Sequence, residues 1–364
     1  MKENGTVLPL NGGVYATLLN ASSKTTATFA ASCSLISYSA TAVVSAASCT
    51  SYIAGAIGAF PVEIASIAVL AAFAVLVFFG IKDSAIVASA IFSFHLFTLA
   101  FLMVACAVEV ARTGGSMLLE NWSQPLPNAE LDGHVMLDLF FGYSVSLLGL
   151  TGFETASNYI EEAGPFEGLK AGFPRSAGQE IANKNRSRTI SVFEKTISNM
   201  FWLVLLVNPT MVLLALGTTD LRTIIANPNN ILSVIAERVG GRWLSILVSV
   251  DAVVVLSGGV LTAYVGVLGL IRQLAQDRCL PSFLTHTNQA FHTNHWIILS
   301  FFLLCSSLYL ITGGDVTVLS GVFSLAFLMV LLSFALANMS LKIHRPRLPR
   351  PVNADWGTVL SGYQ

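Results

Sequence analysis

Residues 147–162 read LLGLTGFETASNYIEE and lie late in an apolar run that begins near Val135. Gly149 and Gly152 fall three residues apart in this run, and Glu154 follows. Glycine is unfavourable inside helices, and a carboxylate is costly in hydrocarbon. The pattern predicts one of two structures. Either a membrane helix is interrupted in mid-span and leaves backbone N–H and C=O groups free to bind a solute, or an ordinary kinked span uses small residues for close packing.

The composition indicates the class of protein. Of the 364 residues, 54% are hydrophobic and only 11% are charged, and the mean hydropathy is +0.72. Soluble domains carry about 25% charged residues, so the chain is predicted to be an all-α polytopic membrane protein. The net charge of −1 gives no reason to expect a nucleic-acid partner, and the lipid bilayer is the expected surrounding.

Apolar segments that are long enough to cross a bilayer, which takes about 20 residues, define the domain organisation. They predict a single transmembrane domain over residues 1–341 and a cytoplasmic tail over 342–364. The charged stretch 163–193, which contains Gly and Pro, is predicted to be a flexible cytoplasmic loop. The eight predicted spans are 25–53, 62–81, 84–110, 134–160, 197–217, 243–270, 295–312 and 317–341.

The distribution of Lys and Arg predicts the orientation. Eight spans put both termini on one side, and fifteen of the nineteen basic residues fall on that side. The positive-inside rule then makes both termini cytoplasmic, in a plasma membrane or an endomembrane. Loop 111–133 would face the outside, where the sequon Asn121-Trp122-Ser123 predicts glycosylation of Asn121.

Ionisable residues inside apolar spans are costly and mark candidate functional sites. Glu154 is predicted either to couple movement of a proton or cation, or to anchor the interrupted helix. Asp251, with Ser257 after it in the same span, is predicted either to form a wall of a transport path or to lie in a helix packing seam. His95 stands among apolar residues and is more typical of a hydrogen-bonded core histidine than of a proton relay.

The remaining polar residues form no motif that is typical of an enzyme. Ser37 and Tyr38 in the first span could line a path or bond to their own helix backbone. The sequence contains no G-x-S-x-G, H-E-x-x-H or Walker A motif, and its five cysteines show no metal-ligand spacing. We therefore expect no catalytic activity, no bound metal and no cofactor.

Three stretches resemble the amino acid–polyamine–organocation (APC) permeases. Residues 152–162, GFETASNYIEE, look like the sixth helix of that family, in which a glycine-containing break precedes a glutamate. Residues 261–281, LTAYVGVLGLIRQLAQDRCLP, look like the end of the eighth helix and the basic loop after it. Residues 8–19, LPLNGGVYATLL, look like the segment between the second and third helices. Their order and spacing extend the resemblance over nearly the whole chain.

The resemblance implies a secondary transporter that moves amino acids or related small solutes by alternating access, with H⁺ or Na⁺ as the coupling ion. It also implies an incomplete five-plus-five inverted-repeat bundle, because the chain corresponds to family helices three to ten. Glu154 and Asp251 would be coupling or structural acids. The residues expected to bind substrate are Gly149, Thr151, Gly152, Phe153, Glu154, Ser37, Tyr38 and Ser257.

The chain departs from the family pattern in three places. The family's first helix, which shares the substrate site, has no counterpart, so the alternative is a non-transporting membrane fragment, sensor or interaction partner. Residues 163–193 look like an insertion. Leu148 stands where many relatives carry an aromatic gate, which argues against arginine or polyamine as the substrate.

Overall fold

The computed structural model describes residues 1–8, 11–58, 61–80, 85–123, 136, 139, 142–143, 146–158, 175–288, 291, 293–350 and 352–354. Within these ranges every regular element is helical, which confirms the all-α class. Two 3₁₀ turns occupy Leu147–Leu150 and Ser282–Thr285. The α-helices are α1 (Lys2–Val7), α2 (Gly13–Ala21), α3 (Lys24–Ile57), α4 (Val62–Phe78), α5 (Ala85–Arg112), α6 (Ser116–Ser123), α7 (Phe153–Asn158), α8 (Arg175–Thr218), α9 (Leu221–Ala226), α10 (Ile231–Gly240), α11 (Arg242–Gln276), α12 (His295–Thr312) and α13 (Val316–His344).

Six helices in the described ranges are long and apolar enough to cross a membrane. They are α3, α5, α8, α11, α12 and α13, which coincide with six of the predicted spans. The second predicted span coincides with α4, an apolar helix of 17 residues. The fourth, 134–160, is described only in part. The count of eight spans and the inverted repeat therefore stay predictions.

Small residues make α3 the centre of the bundle. Its fully buried alanines include Ala30, Ala42 and Ala46. The antiparallel helix α11 packs along it, with Gly259 against Ser45 and Gly266 against the ring of Tyr38. A Cβ on either glycine would come within 3.0 or 3.1 Å of these side chains. The first span therefore uses its small residues for packing inside the bundle.

Contacts at one end of the bundle show that the helices alternate in direction. Lys24, at the start of α3, donates from Nζ to the carbonyl of Asp277, just after the end of α11. At the same end, Thr293 precedes α12 and donates from Oγ1 to the carbonyl of Phe78 at 2.8 Å. Helix starts and helix ends thus meet on one side, as successive crossings of a bilayer require. Which side is cytoplasmic stays a prediction.

The predicted flexible loop over 163–193 is wrong for much of its length. Residues 163–174 lie outside the described part of the chain, but α8 begins at Arg175 and continues to Thr218. The charge of this segment is typical of a loop, but its residue types are compatible with a helix. The segment contains Ala, Gln, Glu, Lys and Arg, which favour helix, and an apolar helix that has already formed extends into such residues at little cost.

A buried carboxylate joins α1 to the C-terminal segment. Glu3 is 3% exposed, and its oxygens lie 3.4 Å from Lys342 Nζ and 3.0 Å from Arg350 Nη1. Asn338 Nδ2 donates to it at 3.1 Å and Ala354 N at 3.0 Å. Burial raises the pKa of Glu3, but the hydrogen bonds and the charge of Lys342 outweigh burial and hold the pKa below its ordinary value.

Candidate functional site

The helix interruption predicted from the glycines is present. The 3₁₀ turn Leu147–Leu150 is followed by a turn at Thr151 and Gly152, and α7 begins at Phe153. Gly152 has a φ of +104°, in the left-handed region that side chains rarely adopt. Its carbonyl accepts the first helical hydrogen bond, from Ala156 N at 2.9 Å. The glycine therefore allows the backbone to turn before the helix resumes.

Glu154 lies directly after the interruption and is 5% exposed. Its Oε1 accepts a hydrogen bond from Ser37 Oγ of α3 at 2.8 Å. Its Oε2 is buried and has no hydrogen-bond partner among the described residues. A buried acceptor without a donor costs about 1–3 kcal/mol. The Oε2 atom can therefore take up a proton or accept a hydrogen bond from an ammonium group.

A glycine pair places α2 against α7. Gly12 N donates to the carbonyl of Asn158 at 3.4 Å. Gly13 has a φ of +50°, and a Cβ on it would overlap Asn158 Oδ1 and lie 3.0 Å from Ser157 Oγ. Asn158 Nδ2 in turn donates to Tyr38 OH. These contacts join α2 and α3 to α7, the short helix that carries the buried Glu154.

The interruption also contacts α8. Phe153 packs against a small apolar cluster that contains Ile197 of α8. Asn208 Nδ2 of the same helix donates to the carbonyl of Gly149 at 3.5 Å. Thr151 is exposed. The predicted site residues therefore divide between α3 and α8, with Glu154 directed to α3 and Phe153 to α8.

Ser257 lies away from this group. Its Oγ is 3.8 Å from Cys49 Sγ of α3, and Cys49 is twelve residues beyond Ser37, which is about 18 Å along a helix. Asp251 lies farther along α11 in the same direction and pairs with His95 of α5. The structure therefore gathers Ser37, Tyr38 and Glu154 at one level and separates Ser257 and Asp251 from them.

A family model described as amino acid permease matches residues 1–363. The chain belongs to the amino acid permease family. The family lies within the APC superfamily, so the resemblance seen in the sequence is confirmed. A search among curated proteins found no match. Its long apolar helices and its family make the permease an integral multi-pass membrane protein. The family consists of transporters, and membership suggests transport of amino acids.

Asn121 has a packing role in the permease. It is 9% exposed, and its Nδ2 donates to the carbonyls of Leu216 at 2.8 Å and Thr219 at 2.9 Å. Its Oδ1 accepts from Leu221 N at 3.0 Å. A glycan on Nδ2 would disrupt this arrangement. Glycosylation at Asn121 stays a prediction, and the geometry of the folded permease counts against it.

Sequence reasoning missed the partners in the permease site. Asn158 lies inside the quoted stretch, but nothing local indicates that it reaches Tyr38. The adjacent Gly12 and Gly13 are a visible signal for close backbone approach, although the sequence does not say what they approach. The side chain of Leu148, the predicted gate position, lies outside the described part of the structure.

Replacing Gly13 with alanine is expected to destabilise the permease by about 1–3 kcal/mol. The reasons are the left-handed backbone and the overlap with Asn158. Chemical unfolding in detergent micelles measures the change. Gly269→Ala is the matched control, because Gly269 lies inside α11 with open space around it, and this variant should be at least as stable as the parent, since alanine is more favourable than glycine inside a helix. Equal stability of the two variants would contradict the packing described for α2.

Proposed function

We propose that the permease is a secondary transporter that carries amino acids or related small solutes by alternating access. Access would alternate as one group of helices moves against the other around a site at the interrupted helix. The substrate's polar groups would bind the backbone freed between Gly149 and Phe153, and Glu154 would bind an ammonium group or a coupling ion. Thr151, Ser37 and Tyr38 complete the proposed site.

One observation carries this proposal. In a chain of the amino acid permease family, Glu154 is buried directly after a helix interruption and keeps one carboxylate oxygen without a partner in the described residues. Acids inside membrane spans are rare and mark substrate or ion pathways. A purely structural carboxylate would be expected to have both oxygens hydrogen-bonded.

The proposed orientation has both termini in the cytoplasm of a plasma membrane or an endomembrane. It rests on the excess of Lys and Arg on one side of the chain. Antibody access to a tag at either terminus, compared in sealed and permeabilised cells, tests this orientation. Labelling of sealed cells would overturn it.

Uptake by the purified permease in proteoliposomes tests the transport function. We expect saturable, time-dependent accumulation of at least one of the twenty radiolabelled L-amino acids, above that of protein-free liposomes. Preloading with the same unlabelled amino acid should accelerate uptake, since alternating access permits exchange. A correctly folded preparation that accumulates none of the twenty would contradict amino acid transport and favour a non-transporting role as a sensor or interaction partner.

A further inference from the structure

A second intramembrane acid has a partner on another helix. His95 Nδ1 of α5 lies 2.8 Å from Asp251 Oδ2 of α11. The Asp251 side chain is 4% exposed and the His95 side chain is 27% exposed. A charge-assisted hydrogen bond of this length is strong. The pair therefore combines a buried carboxylate with an imidazole that is open on one side.

The carboxylate of this pair is only half satisfied. Its second oxygen, Oδ1, is buried and has no hydrogen-bond partner among the described residues. Tyr52 of α3 is near enough for its hydroxyl to interact electrostatically with Asp251. A structural ion pair in hydrocarbon is stabilised when its remaining polar atoms are bonded. Within the described residues, the second oxygen therefore remains an acceptor that the contact with His95 does not use.

A cavity reaches the imidazole. It has a volume of about 540 Å³ and extends between α4, α5 and α11. His95 lines it together with Ser257 and Thr262 of α11, and Phe73 and Phe92 contribute to the apolar walls. The cavity is large enough for several waters. His95, Ser257 and Thr262 are the polar side chains on its otherwise apolar walls, so the imidazole can be reached through this opening without passing through packed side chains.

Several titratable and charged side chains lie on the helices packed around the pair. On α3 the facing titratable groups are Tyr52 and Cys49. The charged residues on the other packed helices lie near helix ends or on exposed faces. Those whose side chains the structure describes are Glu63 at the start of α4, Glu109 and Arg112 at the end of α5, Arg188, Glu194 and Lys195 in the first half of α8, Glu237 and Arg238 on α10, and Arg242 and Arg272 on α11.

We propose that His95 and Asp251 form a proton-binding site through which a proton gradient drives uptake by the permease. With a neutral imidazole and an ionised carboxylate, the pair has a net charge of −1. A proton from solution binds His95 Nε2, and the resulting imidazolium–carboxylate pair is neutral. Release of the same proton on the other side restores the charge. This inference rests on the proposed transport function and adds the coupling ion.

The neutral state is the physical basis for coupling. A net charge in a low-dielectric interior is costly, and its cost changes with surroundings. Binding a proton removes that cost. The free-energy difference between the two orientations of α5 and α11 in the transport cycle is therefore not the same for the protonated pair as for the deprotonated pair. Histidine is the side chain suited to exchange a proton in the physiological pH range.

Proton movement during amino acid uptake tests the proposal. Proteoliposomes containing an internal pH dye receive a mixture of the twenty L-amino acids, and acidification of the lumen is recorded beside radiolabel uptake. The parent should show both signals. In Asp251→Asn and His95→Asn, gradient-driven uptake should fall by about tenfold or more, because the altered pair no longer exchanges a proton between a charged and a neutral state, and the charge-assisted hydrogen bond that it loses is worth at least this factor. Exchange of internal for external amino acid should persist, since exchange needs no net proton movement.

His344→Asn is the matched control, because His344 is exposed at the end of α13, and it should behave like the parent. A second readout is independent of transport. Nitrogen NMR of histidine-labelled protein in nanodiscs, recorded at several pH values, should include among its histidine signals one proton-binding imidazole that is absent in His95→Asn and shifted in Asp251→Asn.

The outcomes separate the two hypotheses. Uptake without lumen acidification in the parent would overturn the proton site and leave amino acid transport standing. Absence of uptake in a folded parent would overturn transport, and with it the coupling role. The proposal would also be overturned if both variants lost exchange as well as gradient-driven uptake while their thermal stability stayed unchanged. That result would make the pair essential for the conformational change of the transporter and not for proton coupling. An NMR spectrum in which His95 does not titrate would exclude proton binding.

Discussion

Replacing Glu3 with glutamine is expected to destabilise the permease by about 3–5 kcal/mol, the usual cost of removing one partner of a buried ion pair. Glu3 is the common partner of Lys342 and Arg350, whose side chains are only 7% and 13% exposed. Glutamine keeps the shape of the side chain but leaves both cations without a buried counter-charge. The free energy of chemical unfolding in detergent micelles measures the loss.

The same contacts predict a pH dependence. The folded pKa of Glu3 is lowered, so its contribution to stability is present above the unfolded pKa of roughly 4.3. It is lost as the pH falls through the lower, folded pKa. The parent should therefore lose its stability advantage over Glu3→Gln under acid conditions. A constant difference between the two proteins down to low pH would contradict this role for the carboxylate.

Glu63 provides a matched control for the Glu3 substitution. It is an exposed glutamate in the first turn of α4, where its interaction with the helix dipole is worth about 0.3–1 kcal/mol. Glu63→Gln should therefore cost far less than Glu3→Gln. Similar losses in the two variants would show that burial and pairing do not explain the effect at Glu3.

Replacing Glu154 with glutamine is expected to reduce amino acid uptake by about tenfold or more. A charge-assisted hydrogen bond contributes about 1.5–3 kcal/mol, and 1.4 kcal/mol corresponds to a factor of ten. Glutamine retains an oxygen that can accept from Ser37, but it cannot carry charge or bind a proton. Initial rates in proteoliposomes measure the change, and thermal melting checks that the fold is retained. Near-normal uptake would exclude the proposed binding or coupling role and favour anchoring alone.

Ser37 supplies a finer test of the same site. Ser37→Ala removes the donor to Glu154 Oε1 and keeps the carboxylate, so uptake should fall by less than in Glu154→Gln. Ser39→Ala is its matched control, because Ser39 is buried on the same helix but donates to the carbonyl of Leu35 within α3 at 2.8 Å. An equal effect of the two serine substitutions would contradict a specific role for the Ser37–Glu154 contact.

Local features of the fold could be predicted from the sequence. The glycines around residue 150 predict the interruption, because the positive φ of Gly152 is unfavourable for other residues. At the end of α10, Gly240 is followed by Gly241 with a φ of +78°, a conformation that glycine adopts readily at a helix end. Each signal depends on residues within one or two turns of each other.

Structure could not be predicted from the sequence where local signals disagreed, or where two residues in contact lie far apart in the chain. The basic stretch before Phe193 has both the charge of a loop and the propensity of a helix, and the adjoining apolar span decided in favour of helix. His95 and Asp251 are separated by 156 positions in the chain. In the sequence, each residue stands alone among apolar neighbours, and nothing near either one indicates that the two are in contact.

By itself, the sequence determined the membrane class, the family and the point at which one helix is interrupted. These properties follow from composition and from the local conformational preferences of the chain. Only the tertiary structure decided that Ser37 donates to Glu154, that His95 pairs with Asp251 and that Glu3 joins the two ends of the described chain. Such pairings depend on which helix faces meet, and burial makes each contact energetically significant, because an unpaired polar group inside a bundle has no water to replace its partner.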